Sequence, residues 1–388
     1  MNQINPNARP GGVAGRCDSR FQELQELLQS NITAKTELGA SITVNIDGDN
    51  VVNMWGGYAD DMRTQPWQAD TIVNVFSTTK LVSSLAMLIL VDRGLLDPFE
   101  KVSTYWPEFA QNGKENVEVR HIMSHTAGLP GWEEPMEISD LYDFDRATEK
   151  LAAQAPWWTP GTASGYHSFT QGFLVGKLIR QITSKSLKQF IAEDIAAPLG
   201  ADFQMGVQDC DMSRVTDVTP ISFDSLGDPP DKSSIIYKSN YNPIFSFEAA
   251  NTQAWRQAEL GAVNGHGNSC SIARIISVIS LGGELDGKRF LKPETVDLIF
   301  QQQTKGTDLV IGMPVCFGMG FGLAVPEFFL GRATPSGRLC FWGGAGGSIG
   351  LMDLDRRMTV SYTPNKMGLD GLDWSYVRCI YKALGVKL

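Results

Sequence analysis

Apolar and polar residues alternate in Ser41-Ile42-Thr43-Val44-Asn45-Ile46, and a second apolar-rich run, Val51-Val52-Asn53-Met54-Trp55, follows Asp47-Gly48-Asp49. A period of two places one face of a strand in a core, and Asp-Gly suits a tight turn, so the pair predicts a β-hairpin. The far end of the chain gives the same signal. Residues 338–342, 348–354 and 358–362 read as adjacent antiparallel strands, the first running into Gly343-Gly344-Ala345-Gly346-Gly347. Between the two ends the period becomes helical. Helices are expected over 20–29, over most of 77–199 with breaks at Gly128-Leu129-Pro130-Gly131 and Pro160-Gly161, over 271–280, and over 372–384. The stretch 209–251 has weak periodicity and many Asp, Ser and Pro residues, which predicts long loops. Residues 1–16, rich in Asn, Pro and Gly, read as a loose arm. Strands at both ends with helices between predict an α+β fold of sandwich type. One antiparallel sheet is built from both chain ends and flanked by helices, with a helical lobe beside it. There are no internal repeats and no low-complexity tracts.

Composition narrows the function classes. Hydrophobic residues make up 43% and charged residues 20% of the 388, enough for a large core and too apolar for wholesale disorder. The net charge of −10, with no basic cluster, speaks against nucleic acid and anionic membrane as partners. The longest apolar run, 81–91, is too short to span a bilayer. Met1-Asn2-Gln3-Ile4-Asn5-Pro6 has neither a basic nor an apolar leader region, so a cytoplasmic protein without a signal peptide is expected. The six cysteines contain no Cys-x-x-Cys pair and read as free thiols, and no His/Asp/Glu cluster has metal-ligand spacing. No metal and no cofactor are expected.

The chemistry starts at Ser77-Thr78-Thr79-Lys80, the chain's one Ser-x-x-Lys, which runs directly into the apolar stretch from Leu81. Three residues apart on a helix, the serine and lysine lie one turn apart on one face, so an amine can take the proton of the hydroxyl. Alone the pattern reads better as a helix N-cap followed by a surface lysine. Two further segments supply partners. Pro160-Gly161-Thr162-Ala163-Ser164-Gly165-Tyr166-His167-Ser168 presents Tyr166 and Ser168 on one side of an extended strip. A lysine ammonium beside Tyr166 would favour its phenolate and make it a general base. Trp342-Gly343-Gly344-Ala345 offers unobstructed backbone N–H groups for an oxyanion hole on a strand edge.

In that order, Ser77-x-x-Lys80, Tyr166-x-Ser168 and Trp342-Gly343-Gly344 resemble the serine β-lactamase and penicillin-binding-protein superfamily, nearest to the class C β-lactamase-like family VIII carboxylesterases. Ile122-Met123-Ser124-His125-Thr126-Ala127-Gly128-Leu129, Asn264-Gly265-His266-Gly267 and Gly282-Gly283-Glu284-Leu285-Asp286-Gly287 are similar to further stretches of that family. The resemblance implies a β-lactamase-like fold and one catalytic unit over 17–385. Its sheet lobe comes mainly from 17–80 and 335–388, its helical lobe and loops mainly from 81–334. It also implies an acyl-enzyme on Ser77, with Lys80 and Tyr166 sharing proton removal, Tyr166 protonating the leaving alcohol, and the N–H groups of Ser77 and Ala345 holding the oxyanion. Lys80, near a helix N-terminus and an apolar wall, should have a lowered pKa.

Two departures from the family pattern shape the substrate. Ser168 replaces the usual Asn of Tyr-x-Asn. Trp342-Gly343-Gly344 replaces Lys-Thr-Gly or His-Thr-Gly, so an apolar wall stands where an ammonium would hold a carboxylate. An uncharged small-molecule ester with an apolar acyl group is the expected substrate, bound by Ser168, Trp342, Gly343 and Gly344. Trp157 and Trp158 read equally as acyl-pocket lining or core. The leading function is a serine carboxylesterase. The alternatives are an acyltransferase of natural-product biosynthesis, a β-lactamase or D-amino-acid peptidase, and a non-catalytic binding protein, against which the intact Ser77, Lys80 and Tyr166 argue. Gly346-Gly347-Ser348-Ile349-Gly350 matches the nucleophile elbow Gly-x-Ser-x-Gly, but a strand follows it and no histidine does, so Ser348 reads as structural. His125, in a turn, also reads as structural.

Overall fold

A computed structural model describes residues 2–3, 10–221, 230–327, 329–368 and 374–388. Much of the expected arm, part of the expected loop region and the first two positions of the expected last helix lie outside the described residues.

The architecture is α+β. The strands of its main sheet are β1 (Asn2–Gln3), β2 (Ala14–Cys17), β3 (Gly39–Ile46), β4 (Asp49–Gly57), β5 (Thr304–Thr307), β6 (Pro314–Phe317), β7 (Gly322–Leu323), β8 (Leu339–Gly343), β9 (Ile349–Asp353) and β10 (Met358–Pro364). Among the described residues they form one antiparallel sheet in the order β1-β2-β4-β3-β10-β9-β8-β7-β6-β5. Two small sheets, also among the described residues, pair Val73–Asn74, Phe203–Met205 and Gly265–Gly267, and Glu284–Leu285 with Lys288–Arg289. The expected hairpin is β3–β4, turning at Asp47 and Gly48 with φ of 53° and 92°. The two chain ends join where β10 pairs β3, with Val360 opposite Val44 and Ser361 opposite Thr43. The sheet also draws β5, β6 and β7 from inside the stretch expected to form the helical lobe. These strands are two to four residues long, too short and glycine-interrupted to show a period.

The longer helices are α1 (Gln22–Thr33), α2 (Thr79–Asp92), α3 (Phe144–Ala153), α4 (Thr170–Thr183), α5 (Ser269–Ser280) and α6 (Ser375–Ala383). The sheet is covered on both faces. Helices α1 and α6 pack over the face carrying Ile42, Ile349 and Tyr362. Helix α5 packs over the other, where the residues are small and hydroxylic. Thr43 hydrogen-bonds Ser269 and Thr359 hydrogen-bonds Ser280, at 2.8 and 2.7 Å. The polar half of the alternation in β3 therefore faces a helix rather than water, and its hydroxyls find partners there, as burial demands. At Gly350 a side chain would overlap Leu81 of α2 and Ile276 of α5, so both helices seat against β9 at that glycine. Helix α2 is buried from Thr79 to Leu90, which makes it the rigid centre of the molecule. No described helix is long and apolar enough to cross a membrane.

Candidate active site

Ser77 sits on a 3₁₀ turn, Phe76–Thr78, that feeds directly into α2. Phe76 takes a left-handed φ of 41°, a conformation that costs a non-glycine residue free energy and persists only where the surroundings impose it. The surroundings are visible. Ser348 Oγ donates to the Val75 carbonyl at 2.8 Å and shares a 2.9 Å hydrogen bond with Thr78 Oγ1, while the Gly344 N–H donates to the Ser348 carbonyl. Gly344 lies so close to the Val75 carbonyl and the Ser348 hydroxyl that a Cβ there would overlap both. Ser348 is buried and serves as a brace under the Ser77 turn.

One helical turn on, Lys80 Nζ lies 3.3 Å from Ser77 Oγ and donates to the carbonyls of Ser168 (2.8 Å) and Ala262 (3.0 Å). It is buried, and loss of hydration pulls its pKa well below the usual lysine value. A neutral amine has two hydrogens for the two carbonyls and a lone pair for the Ser77 hydroxyl. Ser168 thus acts on Lys80 through its backbone, not through the side chain that replaces the family Asn. Both residues flanking the first carbonyl, Ser168 and Phe169, line the site cavity.

Tyr166 lies above the pair, with Lys80 Nζ 4.7 Å from the centre of its ring. Its hydroxyl interacts with Ser77 and accepts the indole N–H of Trp342 at 2.7 Å. Trp342 was expected only as an apolar wall, and nothing in its sequence context signals this bond. Burial raises the Tyr166 pKa above the ordinary phenol range, and the Ser77 and Trp342 hydrogen bonds offset this only in part. The expected phenolate is therefore not the resting form. The reason is physical: loss of hydration penalises the phenolate by more than the two hydrogen bonds restore. The His125 ring packs at a tilt against the Tyr166 ring, 4.6 Å between centres, and its Nδ1 accepts the His167 N–H at 3.1 Å. Burial drives the pKa of His125 well down, and that of His167 to about 3, so both are neutral props of the Tyr166 loop.

Ser77 and Tyr166 open into a cavity of about 850 Å³, and Lys80 lies buried behind Ser77, outside its lining. Trp342, Gly343, Gly344 and Ala345 form one rim and Ser168 another. Most of the wall was not foreseen: Phe169, Ile236, Tyr241, Phe245, Phe247 and Trp255. Four of these come from the stretch expected to be loops. The signal was there in its aromatic residues, which stack on one another, Phe245 on Trp255 at 5.1 Å and Phe247 edge-on to Phe76 at 5.7 Å. Trp158 does not line the cavity. Its indole N–H donates to Ala163 O and its ring fills the space beside Gly165, where a Cβ would strike it, so it supports the Tyr166 loop from behind. Among the described residues no cluster of three or more His, Cys, Asp or Glu could hold a metal ion.

The β-lactamase family model matches residues 24–380. Esterase/beta-lactamase LipL of Mycobacterium tuberculosis is 31% identical over 368 residues, covering 92% of this chain and 83% of that protein. Among solved structures, a family VIII carboxylesterase matches with a TM-score of 0.88 at 34% identity, covering 96% of this chain and 99% of its own. A penicillin-binding-protein homologue from Caulobacter crescentus matches with a TM-score of 0.86 at 32% identity, over the same shares of the two chains. With nearly its whole length matched and Lys80 set beside Ser77 and Tyr166 at the foot of the cavity, the chain belongs to the β-lactamase family.

Proposed function

We propose that the protein is a serine carboxylesterase that cleaves uncharged small-molecule esters through an acyl-enzyme on Ser77. One observation carries this reading: among the described residues, the cavity that opens on Ser77 is lined by no Lys, Arg, Asp, Glu or His, and by aromatic and aliphatic side chains over most of its surface. A substrate carboxylate would lose its hydration there without gaining a cation, which is costly, whereas an apolar acyl chain gains by burial. The esterase and carboxylesterase relatives support the same reading.

In the proposed reaction, Lys80 takes the proton of Ser77 as Oγ attacks the ester carbonyl. The N–H groups of Ser77 and Ala345 face the developing oxyanion. Tyr166, a neutral phenol at rest, gives its proton to the departing alcohol and regains one from the Lys80 ammonium. Water then attacks the acyl-enzyme, its proton passing to Lys80, and the Ser77 oxygen leaves as a hydroxyl. An alcohol in place of water would make the same site an acyltransferase.

The test is to mix the protein with p-nitrophenyl butyrate and follow both p-nitrophenol release and the intact mass. The expected result is turnover with a butyryl adduct on Ser77, both abolished in Ser77→Ala. Turnover that survives in Ser77→Ala would overturn the reading. Repeating the reaction with added methanol separates hydrolysis from transfer by the ratio of acid to methyl ester.

A further inference from the structure

Tyr166 lies in a strip, 163–168, that belongs to no helix or strand. Its hydroxyl nevertheless meets Trp342 at 2.7 Å and lies beside Ser77. Neighbouring amides in the strip are fixed by the His125 region: Gly165 N–H donates to the His125 carbonyl at 3.0 Å and His167 N–H to His125 Nδ1 at 3.1 Å. The Tyr166 N–H itself donates to a side chain 142 residues away, Asp308 Oδ1, at 3.0 Å.

Asp308 is 1% exposed. The same oxygen collects two further amides, those of Val310 and Ile311, both at 2.9 Å, so three N–H groups converge on it. Its other oxygen, Oδ2, is buried with no hydrogen-bond partner among the described residues. A buried acidic side chain with half its capacity unmet is costly, and a solvent-facing hairpin end would not need one. The segment is tied to the Tyr166 strip a second time, by Leu309 N–H donating to the Ser164 carbonyl at 2.9 Å. It then runs straight into the site cavity, which Ile311 and Met313 line. One side chain therefore joins the backbone of Tyr166 to the wall that meets the substrate.

We propose that Asp308 is a positioning residue: by gripping the amides of Tyr166, Val310 and Ile311 with one oxygen, it sets the Tyr166 hydroxyl over Ser77 and ties that placement to the cavity wall at Ile311. This rests on the reading of Ser77 as nucleophile and Tyr166 as proton donor. Electrostatics act in the same sense. The charge of Asp308 adds to burial in raising the Tyr166 pKa, which keeps the phenol protonated for donation. The other ionisable groups facing Tyr166 are Lys80 of α2 and the buried His125.

The test is a double-mutant cycle on the rate at which a fluorophosphonate probe labels Ser77, with kcat and KM for p-nitrophenyl butyrate measured in parallel. Asp308→Ala should slow labelling and kcat by roughly 10- to 100-fold with KM much less affected, the loss expected when a reacting group is misplaced by about 1 Å. Asp308→Asn, which keeps an acceptor at Oδ1, should recover much of that loss. In a Tyr166→Phe background, Asp308→Asn and Asp308→Ala should each change the labelling rate less than about 2-fold, because residues that act as a unit are non-additive. The proposal is overturned if Asp308→Asn and Asp308→Ala label at the wild-type rate. It is equally overturned if they slow labelling as much without the Tyr166 hydroxyl as with it, since that is the mark of a merely structural role. Should Asp308→Ala fail to fold, Asp308→Leu, close to aspartate in shape but without an acceptor, decides between the same outcomes. Labelling that persists in Ser77→Ala would instead remove the underlying reading of the site and leave the grip of Asp308 on Tyr166 a structural fact.

Discussion

Lys80 and Tyr166 are both buried, and burial moves them in opposite directions along the pH scale: the amine is driven to give up its proton and the phenol to keep it. The opposite shifts suit the pair to the proposed roles of base and acid about Ser77. This division of labour follows from desolvation, which no spacing in the sequence reveals. What the spacing does reveal is that the residues belong together. Ser77 and Lys80 were legible because three residues of helix bring them to one face, and Tyr166 because its segment has the composition of a turn. Asp308 and the indole bond of Trp342 were not legible, since they meet Tyr166 across 142 and 176 residues of chain. At this scale Trp342→Phe is the informative change. It keeps the ring against Phe317 and Tyr166 but deletes the 2.7 Å donor. A single neutral hydrogen bond is worth about 0.5–1.5 kcal/mol, so kcat should fall roughly 2- to 10-fold with KM little altered, as measured by steady-state ester hydrolysis.

Among the elements, the hairpin β3–β4 and the strands β8, β9 and β10 were legible because each is five residues or longer and alternates or runs apolar. The additional strands β5 to β7 were invisible for the converse reason, and the serines and threonines of β3 and β10 were misleading, since they look solvent-facing but meet α5. The turn from β8 to β9 carries the Gly-x-Ser-x-Gly pattern, and its serine is a brace, not a nucleophile. Ser348→Ala should leave Ser77 able to take the fluorophosphonate probe. It should lower stability by about 1–3 kcal/mol, because Thr78 loses a hydroxyl partner and the Val75 carbonyl a donor in a buried place. Urea denaturation and probe labelling of the same preparation check both halves. Loss of labelling with unchanged stability would make Ser348 part of the chemistry.

For the molecule as a whole, the three most deeply buried histidines set an acid limit. Burial places His167 and His266 at about 3 and His125 well below its usual value. Each therefore stays neutral in the folded chain while the unfolded chain protonates it below about pH 6.5. The unfolded state binds more protons, so stability rises with pH across this window and falls on acidification, by about 1.4 kcal/mol per pH unit for each histidine. Calorimetric unfolding at pH 5 in buffers of different ionisation enthalpy should show uptake of close to one proton for each of the three. A total uptake below one would contradict the assignment of neutral buried rings. The brace beneath Ser77 has a different consequence, one of timing. The turn that presents the nucleophile leans on Ser348, 270 residues further along, and on strands that pair with β3 only after almost all of the chain has been made. A ribosome thus releases Ser77, Lys80 and Tyr166 long before the turn has its support. The turn that carries Ser77 and the cavity rim at Trp342 to Ala345 thus wait on the same late-made segment, so the proposed nucleophile and part of its substrate wall are completed together.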